Sequence, residues 1–264
     1  YTNEPLLPPH TCPEDELRAV RQELENLGVR HIQSLSQGRH RSIHQFRHIQ
    51  AGKCLLPQRR HRRLLLLLED WEALAPAPGG DVWVGDIGDN GRTRADITVW
   101  RVPEPAVTGG GGVTAIGGAV GIVARYPDGA HNAEAMAVGA DGTIYVFTKA
   151  TTTEVYAIPY PQSTSGVITM QKVPAGTIGQ YVDRSGADIR PDGRALIVRG
   201  YKAAQIWPIV PGESMATTLS RTPCSAGLSN SESFGEAVAF LGNDSSYTTT
   251  NEATHGPIRH YTVG

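Results

Sequence analysis

An all-β fold, a β-propeller of four-stranded blades, is predicted by three features that recur four times along this 264-residue chain. A short acid-bearing apolar run opens each repeat. A glycine-containing turn then launches a second β-rich run, and an aromatic-bearing strand follows. Each repeat is one sheet that cannot bury its apolar faces alone, and sheets of this kind packed radially bury them against one another. Five blades are expected from the chain length, with six as the alternative, and the ring is expected to close by pairing N- and C-terminal strands in one blade.

The openings are Asp70-Trp71-Glu72-Ala73-Leu74-Ala75, Asn132-Ala133-Glu134-Ala135-Met136-Ala137, Gly186-Ala187-Asp188-Ile189 and Phe234-Gly235-Glu236-Ala237-Val238-Ala239. Their acids Glu72, Glu134, Asp188 and Glu236 lie 62, 54 and 48 residues apart, around the repeat lengths of propellers. After Pro78-Gly79-Gly80 comes Asp81-Val82-Trp83-Val84; after Asp141-Gly142, Thr143-Ile144-Tyr145-Val146-Phe147; after Asp192-Gly193-Arg194, Ala195-Leu196-Ile197-Val198. In the fourth unit Gly242-Asn243-Asp244 precedes Tyr247-Thr248-Thr249-Thr250. Each is a β-rich run leaving a tight turn, as hairpins require. The third strands are Val99-Trp100-Arg101-Val102, Val155-Tyr156-Ala157-Ile158, Ile206-Trp207-Pro208-Ile209 and His260-Tyr261-Thr262-Val263. Gly121 to Tyr126 is the best outer strand, and the Gly109–Gly112 and Gln162–Gly166 stretches are loops. The third unit fits least well: Asp188 stands five residues before Gly193, whereas Glu72 and Glu134 stand eight before their hairpin glycines, so Asp183 is the alternative acid there.

Residues 1–68 do not share the pattern. They hold 10 of the 20 Arg and 6 of the 9 His, and Pro13 to Leu27 reads as a helix with Glu14, Asp15 and Glu16 in its first turn. A helical or basic cap, a divergent first blade, or a stretch translated out of frame are the three readings; residues 69–264 are the propeller. Net charge is -2 with a pI near 6.5, which gives no support to nucleic-acid binding. No apolar run approaches a membrane span. The chain opens at Tyr1 without an initiator Met, from which a processed, secreted, extracellular protein is expected; a monomer is expected as well. Cys12, Cys54 and Cys224 are too few for a disulfide scaffold; Cys12–Cys54 with Cys224 free is one of three pairings. No Cys/His spacing suits zinc.

The runs Asp70 to Ala75, Trp83-Val84-Gly85-Asp86-Ile87-Gly88-Asp89-Asn90, Ile97 to Pro105 and Tyr126-Pro127-Asp128-Gly129-Ala130-His131-Asn132-Ala133-Glu134-Ala135 resemble a group of secreted actinobacterial β-propeller proteins. The Gly-Asp-Ile-Gly-Asp-Asn run is the most specific piece, and the resemblance covers residues 69 to 264. More loosely the chain is similar to phytase-like and gluconolactonase-like propellers, which implies carboxylates at a channel mouth holding a divalent cation. The N-terminal region departs from the group, lacking its Ser-Gly-Leu first blade and Asn-Asp-Ser-Gly turn.

The first strand of a propeller blade lines the central channel, so equivalent acids converge and repel unless a cation or proton intervenes. Glu72, Glu134, Asp188 and Glu236, with Asp70 and Asn132, offer the hard oxygens that Ca²⁺, before Mg²⁺, prefers. The competing role is hydrogen bonding between blades. Asp86, Asp89 and Asn90 form an oxygen-rich loop without the order of an EF-hand; the alternative is a self-bonded turn. His131, beside Asn132, can act as a base near neutral pH. Tyr201 and Arg199 leave the next blade's second strand and can face it, with Lys202 adjacent. Trp71 is a candidate sugar-stacking residue, whereas Trp83, Trp100 and Trp207 belong to the core. No nucleophile elbow or phosphate loop is present.

The expected function is a secreted metal-dependent hydrolase of an ester or phosphoester. Glu72, Glu134, Asp188 and Glu236 hold the ion in this scheme, and Asp86, Asp89 or His131 activates water. One alternative is a lyase or hydrolase of an acidic polysaccharide, with His131 and Tyr201 as base and acid and Arg199 or Lys202 neutralising a carboxylate. The other is a non-catalytic binding propeller. Small molecules or polysaccharides are the expected partners, without nucleic acid or membrane.

Overall fold

A computed structural model describes residues 69–76, 79–104, 118–180, 183–228, 234–243, 246–252 and 256–262. The proposed helix over 13–27, the cysteines at 12 and 54, the 109–112 loop and the expected closing strand pair at its N-terminal end lie outside them. Four sheets run in sequence order, each beginning as an antiparallel meander. Blade 1 holds β1 (Trp71–Pro76), β2 (Asp81–Asp86), β3 (Ile97–Pro103) and β4 (Val120–Arg125). Blade 2 starts with β5 (Ala133–Val138), β6 (Ile144–Thr148) and β7 (Val155–Ile158). Two three-residue strands follow, β8 (Val167–Thr169) and β9 (Gln171–Val173). Blade 3 holds β10 (Arg184–Ile189), β11 (Ala195–Gly200), β12 (Ala204–Pro208) and β13 (Cys224–Ala226). Blade 4 holds β14 (Gly235–Phe240), β15 (Ser246–Asn251) and β16 (Arg259–Thr262).

The propeller expectation holds, but the blade count does not: the described residues form four blades, not five or six, and the fourth has three strands among them. The hairpin turns behave as their glycines predict. Gly80, Gly142 and Gly193 all take positive φ, at 93°, 84° and 74°, where any side chain would be strained.

The core lies in layers between blades. Trp83, Val99 and Tyr126 of blade 1 pack with Met136, Val146 and Tyr156 of blade 2. Phe147 and Ala135 of blade 2 pack with Leu196, Val198 and Trp207 of blade 3, and Ile197 of blade 3 packs with Val238, Phe240 and Tyr247 of blade 4. Covered on both faces, β5, β10 and β11 are buried at every residue. That is why these strands lack the alternation of apolar and polar residues that a half-exposed strand shows.

Blades 1 and 2 are also tied at the rim. β8 runs parallel to β4 while β9, one residue later, runs antiparallel to β7, and the Met170 N–H between them donates to the Arg125 carbonyl at 2.8 Å. Between β12 and β13 a single-turn helix, α1 (Met215–Ser220), is capped by the Ser214 hydroxyl accepting from the Thr217 N–H. Its Met215 and Leu219 join the layer between blades 2 and 3. Cys224 is disulfide-bonded, which removes the pairing that leaves it free. Among the described residues no helix is long and apolar enough to cross a membrane.

Candidate functional site

Every inner strand carries one irregularity at the same place. The ladder register shifts between Trp71 and Ala73, Ala133 and Ala135, Arg184 and Gly186, and Gly235 and Ala237. A bulge of this kind re-aims the extra residue's side chain. The four bulged residues are Glu72, Glu134, Ser185 and Glu236, and all four line one central cavity of about 40 Å³. Three of the four predicted carboxylates therefore do meet. Asp188 does not: it lies two residues beyond the ladder's return to register, buried, where a carboxylate oxygen accepts the Phe240 N–H at 2.8 Å. Burial pushes its pKa up to about 7 against that bond and a second from Ile189. Asp188 links blade 3 to blade 4, and the alternative acid Asp183 sits exposed just before β10 with φ 56°. Ser185 is the residue equivalent to the glutamates; its hydroxyl donates to the Gly235 carbonyl at 2.6 Å. The spacing carries the signal: Ser185 stands eight residues before Gly193, as Glu72 and Glu134 stand eight before Gly80 and Gly142.

Electrostatics in this funnel are those of crowded acids. Burial, then the charges of Glu134 and Asp70 and a hydrogen bond with Asp70, raise Glu72 to about 8. Burial, Glu134 and Glu252 raise Glu236 to about 7, with Lys149 and Arg199 pulling the other way. The Glu236 Oε1 atom is buried and has no hydrogen-bond partner. Glu134 is compensated instead: its Oε2 accepts from Lys149 Nζ at 2.5 Å. Burial works against the Lys149 charge, but Glu134 and the Tyr201 hydroxyl outweigh it and hold the ammonium above its usual range. Lys149 Nζ donates to that hydroxyl and lies 4.6 Å from the centre of its ring.

Lys149 was not a sequence candidate, yet the repeat contains it. Asp86, Thr148, Gly200 and Asn251 face the first residues of the four inner strands, so Ile87, Lys149, Tyr201 and Glu252 are equivalent positions one residue later. Tyr201, at the same position in the next blade, was a candidate.

The remaining candidates separate. Asp86, fully buried, accepts from the Glu69 N–H at 3.1 Å, the Asp70 N–H at 2.8 Å and Arg94 Nη1 at 2.9 Å. Asp89 accepts the Arg94 N–H at 2.8 Å and donates its own N–H to Asn132 Oδ1 at 2.7 Å. Burial opposes the charge of Asp89, but the Thr93 and Arg94 amides and the Arg94 guanidinium hold its pKa below the usual range. Asn132 Nδ2 donates to Asn90 Oδ1 at 3.3 Å. The Gly85–Asn90 loop is thus closed on itself and strapped to blade 2, with Gly88 under the Asp70 carboxyl, where a Cβ would lie 2.4 Å from Oδ2. Neither acid points free oxygen at a substrate.

His131 belongs to a separate cluster, 3.0 Å from Asp128 Oδ1, 3.3 Å from Glu154 Oε2 and 3.0 Å from the Tyr156 hydroxyl. Lys172 Nζ bridges Asp128 and Glu154 at 2.6 and 2.5 Å. A single ion could be reached by Asp128, His131 and Glu154, but Lys172 already supplies the compensating cation. His131 and Tyr201 therefore stand in different clusters, each with its own lysine. Arg199 is fully buried, its Nε donating to the Gly200 carbonyl at 3.1 Å and its Nη atoms reaching the Ala237, Thr250 and Tyr201 carbonyls at 3.5 Å. Trp71 is 46 % exposed and Lys202 is exposed.

No family model matches the chain, and the comparison with curated proteins finds no relative. Among solved structures the chain is similar to a luciferin-regenerating enzyme (11% identity, 73% of this chain and 61% of that one, TM-score 0.44). It is similar to hydrazine synthase of Kuenenia stuttgartiensis (14%, 79% and 49%, 0.40) and to virginiamycin B lyase of Staphylococcus aureus (11%, 73% and 55%, 0.38). The chain spans about half to three-fifths of the length of these structures.

Proposed function

We propose that the chain is a metal-dependent hydrolase of an ester or phosphoester, with Ca²⁺ held in the funnel by Glu72, Glu134 and Glu236. The observation that carries the reading is the convergence of three carboxylates from three blades on one 40 Å³ cavity, with Glu236 Oε1 buried and unpartnered. The donor type suits a hard cation, since all three groups are carboxylate oxygens and burial with mutual repulsion raises Glu72 and Glu236. Their oxygens are not gathered on one point as those of Asp128, His131 and Glu154 are, so binding requires the three side chains to draw together, with Glu134 shared between the ion and Lys149. With Asp188 excluded, three carboxylates beside an ammonium make a weak site. That fits the class of about 10⁻⁴–10⁻³ M found in extracellular Ca²⁺ modules and the secreted setting proposed from the sequence.

A bound divalent ion supplies Lewis-acid polarisation of a carbonyl or phosphoryl oxygen. The cavity has room for an ion and a water or two, well below the roughly 300 Å³ of a substrate pocket, so the substrate lies across the mouth. There Lys149, anchored on Glu134, orients an anionic oxygen of the substrate. In hydrolysis at that place a water would attack the carbonyl or phosphoryl centre as the bond to the leaving oxygen breaks. The Tyr201 hydroxyl, held by Lys149, would give its proton to the leaving oxygen and take one back from the attacking water. Asp86 and Asp89 shape the loop behind the site, and His131 is withdrawn from water activation because its ring nitrogens already face Asp128 and Glu154. The polysaccharide-lyase alternative loses its His131–Tyr201 pair for the same reason.

Thermal melts with EDTA or Ca²⁺, combined with hydrolysis of p-nitrophenyl acetate and bis-p-nitrophenyl phosphate, test this reading. Ca²⁺ at a hundredfold excess over Kd is expected to stabilise by about 2.7 kcal/mol. Glu236→Gln should abolish both the shift and turnover, while Tyr201→Phe keeps the shift and loses about 10²-fold or more in rate. An identical melt in EDTA and Ca²⁺ would overturn the ion, and a Ca²⁺ shift without hydrolysis would leave a binding propeller in place of an enzyme.

A further inference from the structure

At the opposite end of the blades, where the inner strands run out into their hairpins, a second cavity of about 310 Å³ opens between blades 1 and 2. It is large enough to enter the range of small-ligand pockets, which the funnel is not. Trp83, 4 % exposed, forms its floor. Tyr160 forms one wall; the residue is 65 % exposed, and its ring is seated on the hairpin glycine Gly142, where a Cβ would come within 3.0 Å of it. An aromatic ring fixed on backbone with its outer face bare is a stacking platform rather than a core residue.

Three planar polar groups stand around that platform. Gln162 Nε2 donates to the Gly142 carbonyl at 2.8 Å, which fixes the amide and leaves Oε1 as an acceptor with no donor among the described residues. Asp141 is exposed; its carboxylate takes the Thr143 N–H and hydroxyl at 3.0 and 2.9 Å and retains further lone pairs. Arg101 has Nε 3.5 Å from Asp81 Oδ2, so its two terminal nitrogens remain as donors. The rim thus offers both donors and acceptors. Asp81 and Asp141 more than offset the single positive charge of Arg101, which works against phosphate, carboxylate or polyanion ligands.

We infer that this cavity is a saccharide subsite, which takes a neutral pyranose ring stacked on Tyr160 with its hydroxyls on Arg101, Asp141 and Gln162. A pyranose has the required form: a flat C–H face and a periphery of groups that both donate and accept. The site is separate from the funnel and binds without the ion or the funnel glutamates.

The test is a titration of the intact chain with cellotriose, maltotriose, xylotriose and mannotriose, with trigalacturonate as the charged comparator, followed by amide shifts of Tyr160 and Gln162 and by tryptophan fluorescence. At least one neutral trisaccharide is expected to bind below about 10 mM. Tyr160→Ala should weaken that binding by about tenfold and Tyr160→Phe should preserve it, because stacking needs the ring and not the hydroxyl. Glu236→Gln and EDTA should leave it unchanged, which separates this site from the funnel. Absence of any shift with the four neutral sugars, binding of trigalacturonate alone, or equal affinity in Tyr160→Ala with an unchanged melting temperature would each overturn the inference.

Discussion

Glu72 and Glu236 keep their protons far above the usual carboxylate range because burial and the neighbouring Glu134 both oppose ionisation. Each has an ordinary value of 4.5 and rises to about 8 and about 7 in the folded chain. Between those limits the folded state binds more protons than the unfolded one, so their contribution to stability is complete below about 4.5 and is lost as pH climbs through 7 and 8. Asp188, raised to about 7, acts in the same sense. Asp128 acts in the opposite one, since burial is overcome by Lys172, His131 and Tyr156, which hold it at about 2; its contribution disappears only in acid. The metal-free chain should therefore melt lower at pH 9 than at pH 5.5. Glu72→Gln should recover about 3 °C of that difference at pH 9, and Ca²⁺ should recover it in the unmutated chain. Fluorimetric melts in EDTA across pH give the answer; superimposable profiles for the variant and the unmutated chain would refute the proton linkage.

Bulges and interblade straps are what turn these residues into a site, and one strap can be broken at a single atom. Arg199, at the end of β11, lies buried across the first residue of β14. A Cβ on Gly235 would fall 1.4 Å from its Nη2 and 2.1 Å from its Cζ. An arginine end can normally swing aside, but here full burial and four carbonyl partners leave it nowhere to go. Gly235→Ala is expected to cost about 3 kcal/mol in chemical denaturation, and much less when introduced into an Arg199→Ala background. Equal costs in the two backgrounds would show that the glycine is needed for backbone freedom and not for the arginine.

The same elements show what could be read beforehand. Strand identity was legible because apolar runs and glycine turns alternate, and Glu72 and Glu134 stand eight residues before their hairpin glycines, with Glu236 six before Gly242. Asp188 misleads because residue type and spacing point to different positions: the residue eight before the hairpin glycine is Ser185, and a bulge makes that position, not the nearest acid, face the axis. Lys149 was hidden because its importance comes from a partner in another blade, Tyr201, 52 residues away. The Asp86 and Asp89 pair looked catalytic because a loop rich in carboxylates has the same composition whether it binds a ligand or its own amides.

At the scale of the whole chain, four blades were legible from repetition, whereas the segments that join them were not. The Val167–Val173 tie between blades 1 and 2 is two three-residue strands with no turn signature, and α1 is too short to show a helical period. Burial is nonetheless unequal in a way that has dynamic consequences. Blades 2 and 3 are covered on both faces, and every residue of β5, β10 and β11 is buried. Toward the ends of the series burial thins: β1 has one buried residue of six, and β16 alternates between partial burial and exposure. Opening a strand requires exposing what it buries, so the free energy of local opening should fall from the middle blades outward. Native-state hydrogen exchange followed by mass spectrometry should find peptides spanning β5 and β10 exchanging slowest, at or near the global unfolding rate, and those spanning β1 and β16 exchanging faster. Because Glu72 and Glu236 belong to the less protected blades while Glu134 belongs to the most protected, a cation joining all three draws the outer blades onto the inner one. Ca²⁺ should consequently slow exchange in β1 and β14, whose opening breaks the site, and in β5 through global stability, while leaving the outer strand β16 almost unchanged. Uniform slowing across all four blades would mean that the ion acts on global stability alone and that the blades do not open separately.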